Sequence, residues 1–155
     1  MKQIELTQGY FALVDDDDFD YLNRFWWTVT NTEHVYAVSR MGGSDLFYMH
    51  KVILGLGSED RCDHKNRNTL DNQKHNLRRA TTQQNNCNAP KPQGPNGSGF
   101  RGVDRRENGK FRASIRVNRK KINLGTFDTA EEAARAYDIG AMLHHGEFAL
   151  LNFEE

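Results

Sequence analysis

Cysteine is nearly absent: Cys62 and Cys87 are the only two, and neither belongs to a Cys-x-x-Cys or Cys/His cluster. That excludes a disulfide framework and disfavours a structural zinc. Proline is scarce too, and Pro90, Pro92 and Pro95 all fall within residues 89–97. No apolar run approaches the roughly 20 residues of a membrane helix, and no secretory leader opens the chain. An intracellular, cytoplasmic location with reduced thiols and no membrane partner is therefore expected. Glycine-rich nucleotide loops and internal repeats are missing too. Net charge is also lacking, since 21 Lys/Arg balance 21 Asp/Glu. The balance conceals an uneven distribution.

The proline cluster separates two compositions. We expect an α+β protein with one domain over residues 1–88, a linker over 89–97 that is partly extended through its prolines, and a second domain over 98–155. In the first, short strands are predicted at 10–14, 26–30, 35–39 and 46–49. The run Asp15-Asp16-Asp17-Asp18 lacks the spacing of a calcium loop and suits the acidic first turn of a helix through Phe19, Tyr21, Leu22 and Phe25. Phe25-Trp26-Trp27 is expected in the core.

The most informative stretch runs from Cys62 to Leu77. It holds the Asp63 carboxylate, the His64 imidazole and the amides of Asn72 and Asn76. An extended segment to Asp63 and a polar loop over 65–71 are expected to lead into a short helix. Asp71 or Asn72 would cap that helix, which would run to about Arg79 with Asn72 and Asn76 on one face. Such a set suits phosphodiester hydrolysis. A magnesium ion needs only one or two protein oxygens, because water and the substrate phosphate complete its shell. An imidazole titrating near neutrality suits the base. His50 either touches a phosphate or starts a helix beside Val52, Ile53 and Leu54, and His75 is expected exposed and idle.

Asp63-His64, Asn72 and Asn76 at this spacing resemble the motif of HNH nucleases, in the phage and intron-encoded branch where Asn76 takes the place of the last His. The opening Leu6-Thr7-Gln8-Gly9 with Val14-Asp15-Asp16 is similar to lead-ins of the same type. The resemblance implies a ββα-metal nuclease domain binding Mg2+ or Mn2+ through Asp63 and Asn76. His64 and Asn72 would be catalytic, His64 as base and Asn72 holding the loop. Arg78 and Arg79 would either clamp phosphates or face solvent.

Beyond the linker the pattern changes. Phe111, Ala113, Ile115 and Val117 alternate with Arg112, Ser114, Arg116 and Asn118, and Ile122 and Leu124 alternate with Lys121 and Asn123. This period of two predicts a three-stranded antiparallel sheet with an apolar face and a cationic one. Asn108-Gly109 suits the first hairpin turn. Asp128 and Glu131 suit a capping box, Ala130 to Met142 an amphipathic helix, and Gly146 its end. Residues 98–123 carry nine Lys/Arg against Asp104 and Glu107, whereas 124–155 carry Arg135 against seven acids. A cationic sheet can enter the major groove of duplex DNA.

Ser98-Gly99-Phe100-Arg101-Gly102-Val103, Gly109-Lys110-Phe111 and Leu124-Gly125-Thr126-Phe127 resemble the Apetala/ethylene-response-factor DNA-binding domain of plants, over residues 98–153. The resemblance implies double-stranded DNA contacts from Arg101, Arg106, Arg116 and Lys121. Arg112 is an extra candidate, and Asn123 falls where a tryptophan often packs. Asp104 departs from the pattern, standing where an Arg is expected. Together the halves point to a site-specific DNA endonuclease of the HNH homing type, phage-encoded and monomeric, with no obligate protein partner. The alternative is a non-catalytic DNA-binding regulator with a degenerate nuclease domain.

Overall fold

A computed structural model describes residues 1–30, 32, 34–41, 45–88 and 98–153. The expected linker, 89–97, lies outside them. The chain forms two compact units, Met1–Asn85 and Asn86–Glu155. No helix among the described residues is long and apolar enough to cross a membrane.

The first unit opens with an antiparallel hairpin of β1 (Lys2–Glu5) and β2 (Phe11–Val14). Helix α1 (Asp16–Leu22) follows with Asp16, Asp17 and Asp18 in its first turn, where the helix dipole favours them. A three-stranded antiparallel sheet then forms in the order β3 (Thr28–Val29), β4 (Ala37–Met41), β5 (Asp45–Tyr48). Helix α2 (Met49–Leu54) ends on Gly55, whose φ of 60° is the left-handed cap that glycine tolerates. Strands β6 (Arg61–His64) and β7 (Leu77–Ala80) pair antiparallel, and α3 (Thr82–Asn88) follows.

Ile4, Leu6, Ala12, Val14, Leu22, Trp27, Ala37 and Met49 make this unit's core. Trp27 packs edge-on against Phe25 and Phe47 and donates its indole N–H to the Leu22 carbonyl at 2.8 Å. The expectation for the aromatic triplet fails at Trp26, which is 79% exposed. Trp27, its neighbour, is the one that enters the core, at 2% exposed.

The helix expected from Asp71 or Asn72 to Arg79 does not form. Leu77–Ala80 is instead a strand, pairing residue for residue with Arg61–His64. Ladder pairing and burial of Leu77 and Ala80 outweigh the local capping signal. The helix comes later: Thr81 accepts the Gln84 N–H at its hydroxyl, and the Gln84 side chain takes the Thr81 N–H, a reciprocal cap at the start of α3.

The second unit is an antiparallel sheet ordered β10 (Lys120–Phe127), β9 (Phe111–Val117), β8 (Val103–Arg105), with α4 (Ala130–His145) against one face. Asn108-Gly109 forms the expected turn, with Gly109 at φ 80°. The capping box is shifted by one residue and is made by Thr129 and Glu132, not Asp128 and Glu131. Val103, Ala113, Ala133 and Ala134 form one apolar cluster, and Ile115, Tyr137 and Ala141 another. Small residues set the close approach: a Cβ on Gly102 would lie 2.0 Å from the Tyr137 ring. Asp138, buried on α4, accepts the backbone N–H groups of Asn152 and Phe153 and so ties down the last segment.

Candidate functional site

The four residues singled out between 63 and 76 are all buried: Asp63, His64, Asn72 and Asn76. Strand β6 carries Asp63 and His64 at adjacent positions, whose side chains leave the strand on opposite sides. Asp63 pairs across the hairpin with Arg78, and the guanidinium places Nε at 2.8 Å and Nη2 at 2.6 Å from Oδ2. Arg78 is thereby engaged with the carboxylate. Arg79 is exposed and lies 3.6 Å from Asp60.

His64 Nε2 lies 3.4 Å from Asn72 Oδ1. The amide nitrogen of Asn72 donates to the Leu70 carbonyl, so its oxygen is turned to the imidazole. An amide oxygen only accepts, so the tautomer that satisfies this contact carries its proton on Nε2 and leaves Nδ1 as the basic nitrogen. Burial lowers the His64 pKa, and the hydrogen bond to Asn72 and the charges of Asp63 and Asp71 oppose that shift.

Asn76 fastens the loop at both ends of its amide. Its oxygen accepts the Asn66 N–H at 2.9 Å, and its nitrogen donates to the Asp71 carbonyl at 2.7 Å. One lone pair of that oxygen remains for an ion. The Asp63 carboxylate and the Asn76 amide are hard oxygen donors that fit magnesium or manganese. Among the described residues no group of three or more His, Cys, Asp or Glu is arranged to hold a metal. Any cation here would depend on few protein ligands. Burial pushes the Cys62 thiol up to about 11, which makes it a poor thiolate donor.

His50 is buried at the start of α2, its ring 5.2 Å from that of His64 and edge-on to it. Tyr36 and Tyr48 complete the cluster around it. Burial, then the neighbouring His64, pushes its pKa down to about 3. A neutral His50 therefore lines the wall beside His64. His75 is exposed.

Sequence reasoning missed what shapes this loop. Asp71 is buried and grips the Asn66 amide at 2.7 Å. Asn72 N–H donates to the Leu13 carbonyl and Leu13 N–H to the Leu70 carbonyl, both at 2.8 Å. Asp15 accepts the Lys74 N–H at 2.8 Å, a bond that holds its carboxyl below the usual carboxylate range. The Asn66, Asn68, Asp71 spacing was a local signal for such a loop. Nothing local pointed to Leu13 or Asp15.

In the second unit, the sheet face away from α4 carries Arg112, Ser114 and Arg116 on β9 with Lys121 and Asn123 opposite them on β10. Arg116, Lys121 and Asn123 are exposed there. Asn123 accepts the Gly125 N–H at the β-bulge between them. Arg106 is exposed in the β8–β9 turn. Arg101 is placed differently: Nε donates to the Tyr137 hydroxyl at 3.0 Å and Nη2 to the Cys87 carbonyl at 2.8 Å. Both bonds tie its side chain to this unit. Phe111 joins the first apolar cluster, as expected.

Residues 98–142 match the AP2 domain, so the second unit contains that domain. The chain is similar to ethylene-responsive transcription factor 3 of Nicotiana tabacum, 51% identical over 73 residues, covering 42% of this chain and 32% of that protein. Dehydration-responsive element-binding protein 1G of Oryza sativa is 45% identical over 58 residues, 36% of this chain and 26% of that protein. The chain thus spans about a third or less of the length of these plant relatives. A longer match runs to the uncharacterized HNH endonuclease L560 of Acanthamoeba polyphaga mimivirus, 28% identical over 147 residues, covering 94% of this chain and 76% of that protein. That relative belongs to a giant virus.

Proposed function

We propose that the protein is a site-specific DNA endonuclease of the HNH homing type, whose AP2 domain locates a duplex site and whose β6–β7–α3 segment, read as a ββα-metal hairpin, cuts it. One observation carries the reading: His64 is buried in the β6–β7 hairpin with Asn72 orienting it and Asp63 on the adjacent position. The likeness, over 94% of this chain, to a viral protein named as an HNH endonuclease supports it.

His64 Nδ1 takes the proton from the attacking water, while Asn72 holds the ring through Nε2. Asp63 and Asn76 would hold magnesium or manganese, which when bound supplies positive charge at the crowded phosphate oxygens. Arg78 fixes the Asp63 carboxylate by two N–H bonds to one oxygen. Arg112, Arg116, Lys121, Asn123 and Arg106 face the duplex. Arg101 joins them as a proposed contact, with its Nε tied to the Tyr137 hydroxyl.

A second reading, a DNA-binding regulator that does not cut, is favoured by the closed Asp63–Arg78 pair and by the family match falling on the AP2 part alone. Supercoiled plasmid carrying a selected site, incubated with and without magnesium, decides between them. Nicking that needs the metal and vanishes in His64→Ala, with duplex affinity kept, supports the endonuclease. Tight duplex binding with no metal-dependent nicking supports the regulator.

A further inference from the structure

Asp104 is the one acidic residue in strands β8, β9 and β10. It pairs across the ladder with Arg112, which puts both side chains on the sheet face opposite α4. Arg112 Nη2 lies 3.0 Å from Asp104 Oδ2, and Lys121 Nζ, from the far strand, lies 3.1 Å from the same oxygen. One carboxylate thus joins cations from two other strands on the face that also carries Arg116. The Arg112 guanidinium, and then the Lys121 ammonium, hold its carboxyl below the usual carboxylate range. It is an anion at any pH suited to DNA binding.

A lone carboxylate facing a polyanion costs binding energy through repulsion, unless something offsets it. Here two cations offset it, so the anion can be brought into a groove. A carboxylate has about four lone-pair sites and no donor. It can therefore accept from a base amino group, and it is repelled by the N7 and O6 acceptors on the guanine edge.

Resting on the reading of this sheet as duplex-binding, we infer that Asp104 is a specificity-determining residue, accepting from the exocyclic amino group of a cytosine in the major groove while Arg112 and Lys121 hold it there. The sheet then reads an amino donor at this point, where a cation would have read guanine.

The test uses the full chain in chelator, so that no cutting depletes the bound duplexes, with selection from a randomised duplex pool. Wild type is expected to enrich cytosine at one position. Asp104→Ala should flatten that position alone, losing about tenfold discrimination, the size of a single base contact. Asp104→Asn, close in shape, should move the preference toward adenine, which an amide reads through its N6 and N7. If both variants keep the wild-type preference at every position, or lose affinity uniformly with the preferences unchanged, Asp104 only arranges its two cations and the inference is overturned. If wild type selects no duplex at all, the duplex-binding reading itself falls, and this inference with it.

Discussion

Arg78 and Asp63 face one another across the β6–β7 hairpin, with two guanidinium nitrogens on a single carboxylate oxygen at 2.6 and 2.8 Å. Both side chains are largely out of water, 10% and 4% exposed. Removing one partner of such a pair strands the other charge. Arg78→Ala should therefore destabilise the first unit by about 3 kcal/mol, read as a lowered denaturant midpoint. A midpoint unchanged within error would mean the pair is solvated and contributes nothing.

Asn76→Ala should also lower stability, by roughly 2 kcal/mol, since it orphans the Asn66 N–H and the Asp71 carbonyl together. Amide hydrogen exchange at Asn66 checks the cause. Protection there should drop in the variant, and protection that persists would place the loop's anchor elsewhere.

Acid should unfold the first unit through His50. Its folded pKa is about 3, well below the ordinary imidazole value, because burial disfavours the charged form. A depressed folded pKa contributes stability that is complete above the unfolded value of about 6.5. That stability is lost as pH falls from there toward 3, because the unfolded chain binds the proton first. His50→Gln should flatten that part of the thermal-melt pH profile. An equally steep slope in the variant would assign the acid sensitivity to other groups.

Gly102 has φ 73°, and any Cβ there would overlap the Tyr137 ring. Gly102→Ala should cost several kcal/mol, from backbone strain and overpacking together. Calorimetry should show the loss in the second unit's transition. A shift of under about 0.5 kcal/mol, the usual size for a neutral surface change, would mean the helix backs away freely.

Exposed cations on the open sheet face set a salt dependence. Arg116→Ala should reduce the slope of log affinity against log salt by about 1 if that side chain meets a phosphate. If it meets a base instead, site preference should relax with the slope unchanged. Gel shifts at several salt concentrations separate the two, and no change in either removes Arg116 from the contact surface.

The second unit was legible because its information is local. A period of two between Phe111 and Asn118, an Asn-Gly turn and an alanine-rich helix each demand a definite backbone. The cap slipped by one residue because Asp128 and Thr129 both suit the position, and only packing of the alanines onto the sheet decides which caps. The hairpin around Asp63 was legible in its residue types and less so in its shape. Asn72 and Asn76 at a spacing of four looked helical, but both amides serve the loop, and Leu77 joins a ladder that no local signal announced. Arg101 has ties that its local sequence does not announce. A cation in a basic segment gives no hint that a buried tyrosine hydroxyl on α4 waits for it.

The seam joining Leu13 and Asp15 to residues 70–74 bears on how this protein can be cut and recombined. Three main-chain donors cross it, and its two sides are far apart in the chain. A peptide excised as residues 61–80 would carry Asp63, His64, Asn72 and Asn76 yet lack the splint that keeps the loop in shape. Grafting that motif onto another scaffold should therefore require the amino-terminal hairpin as well.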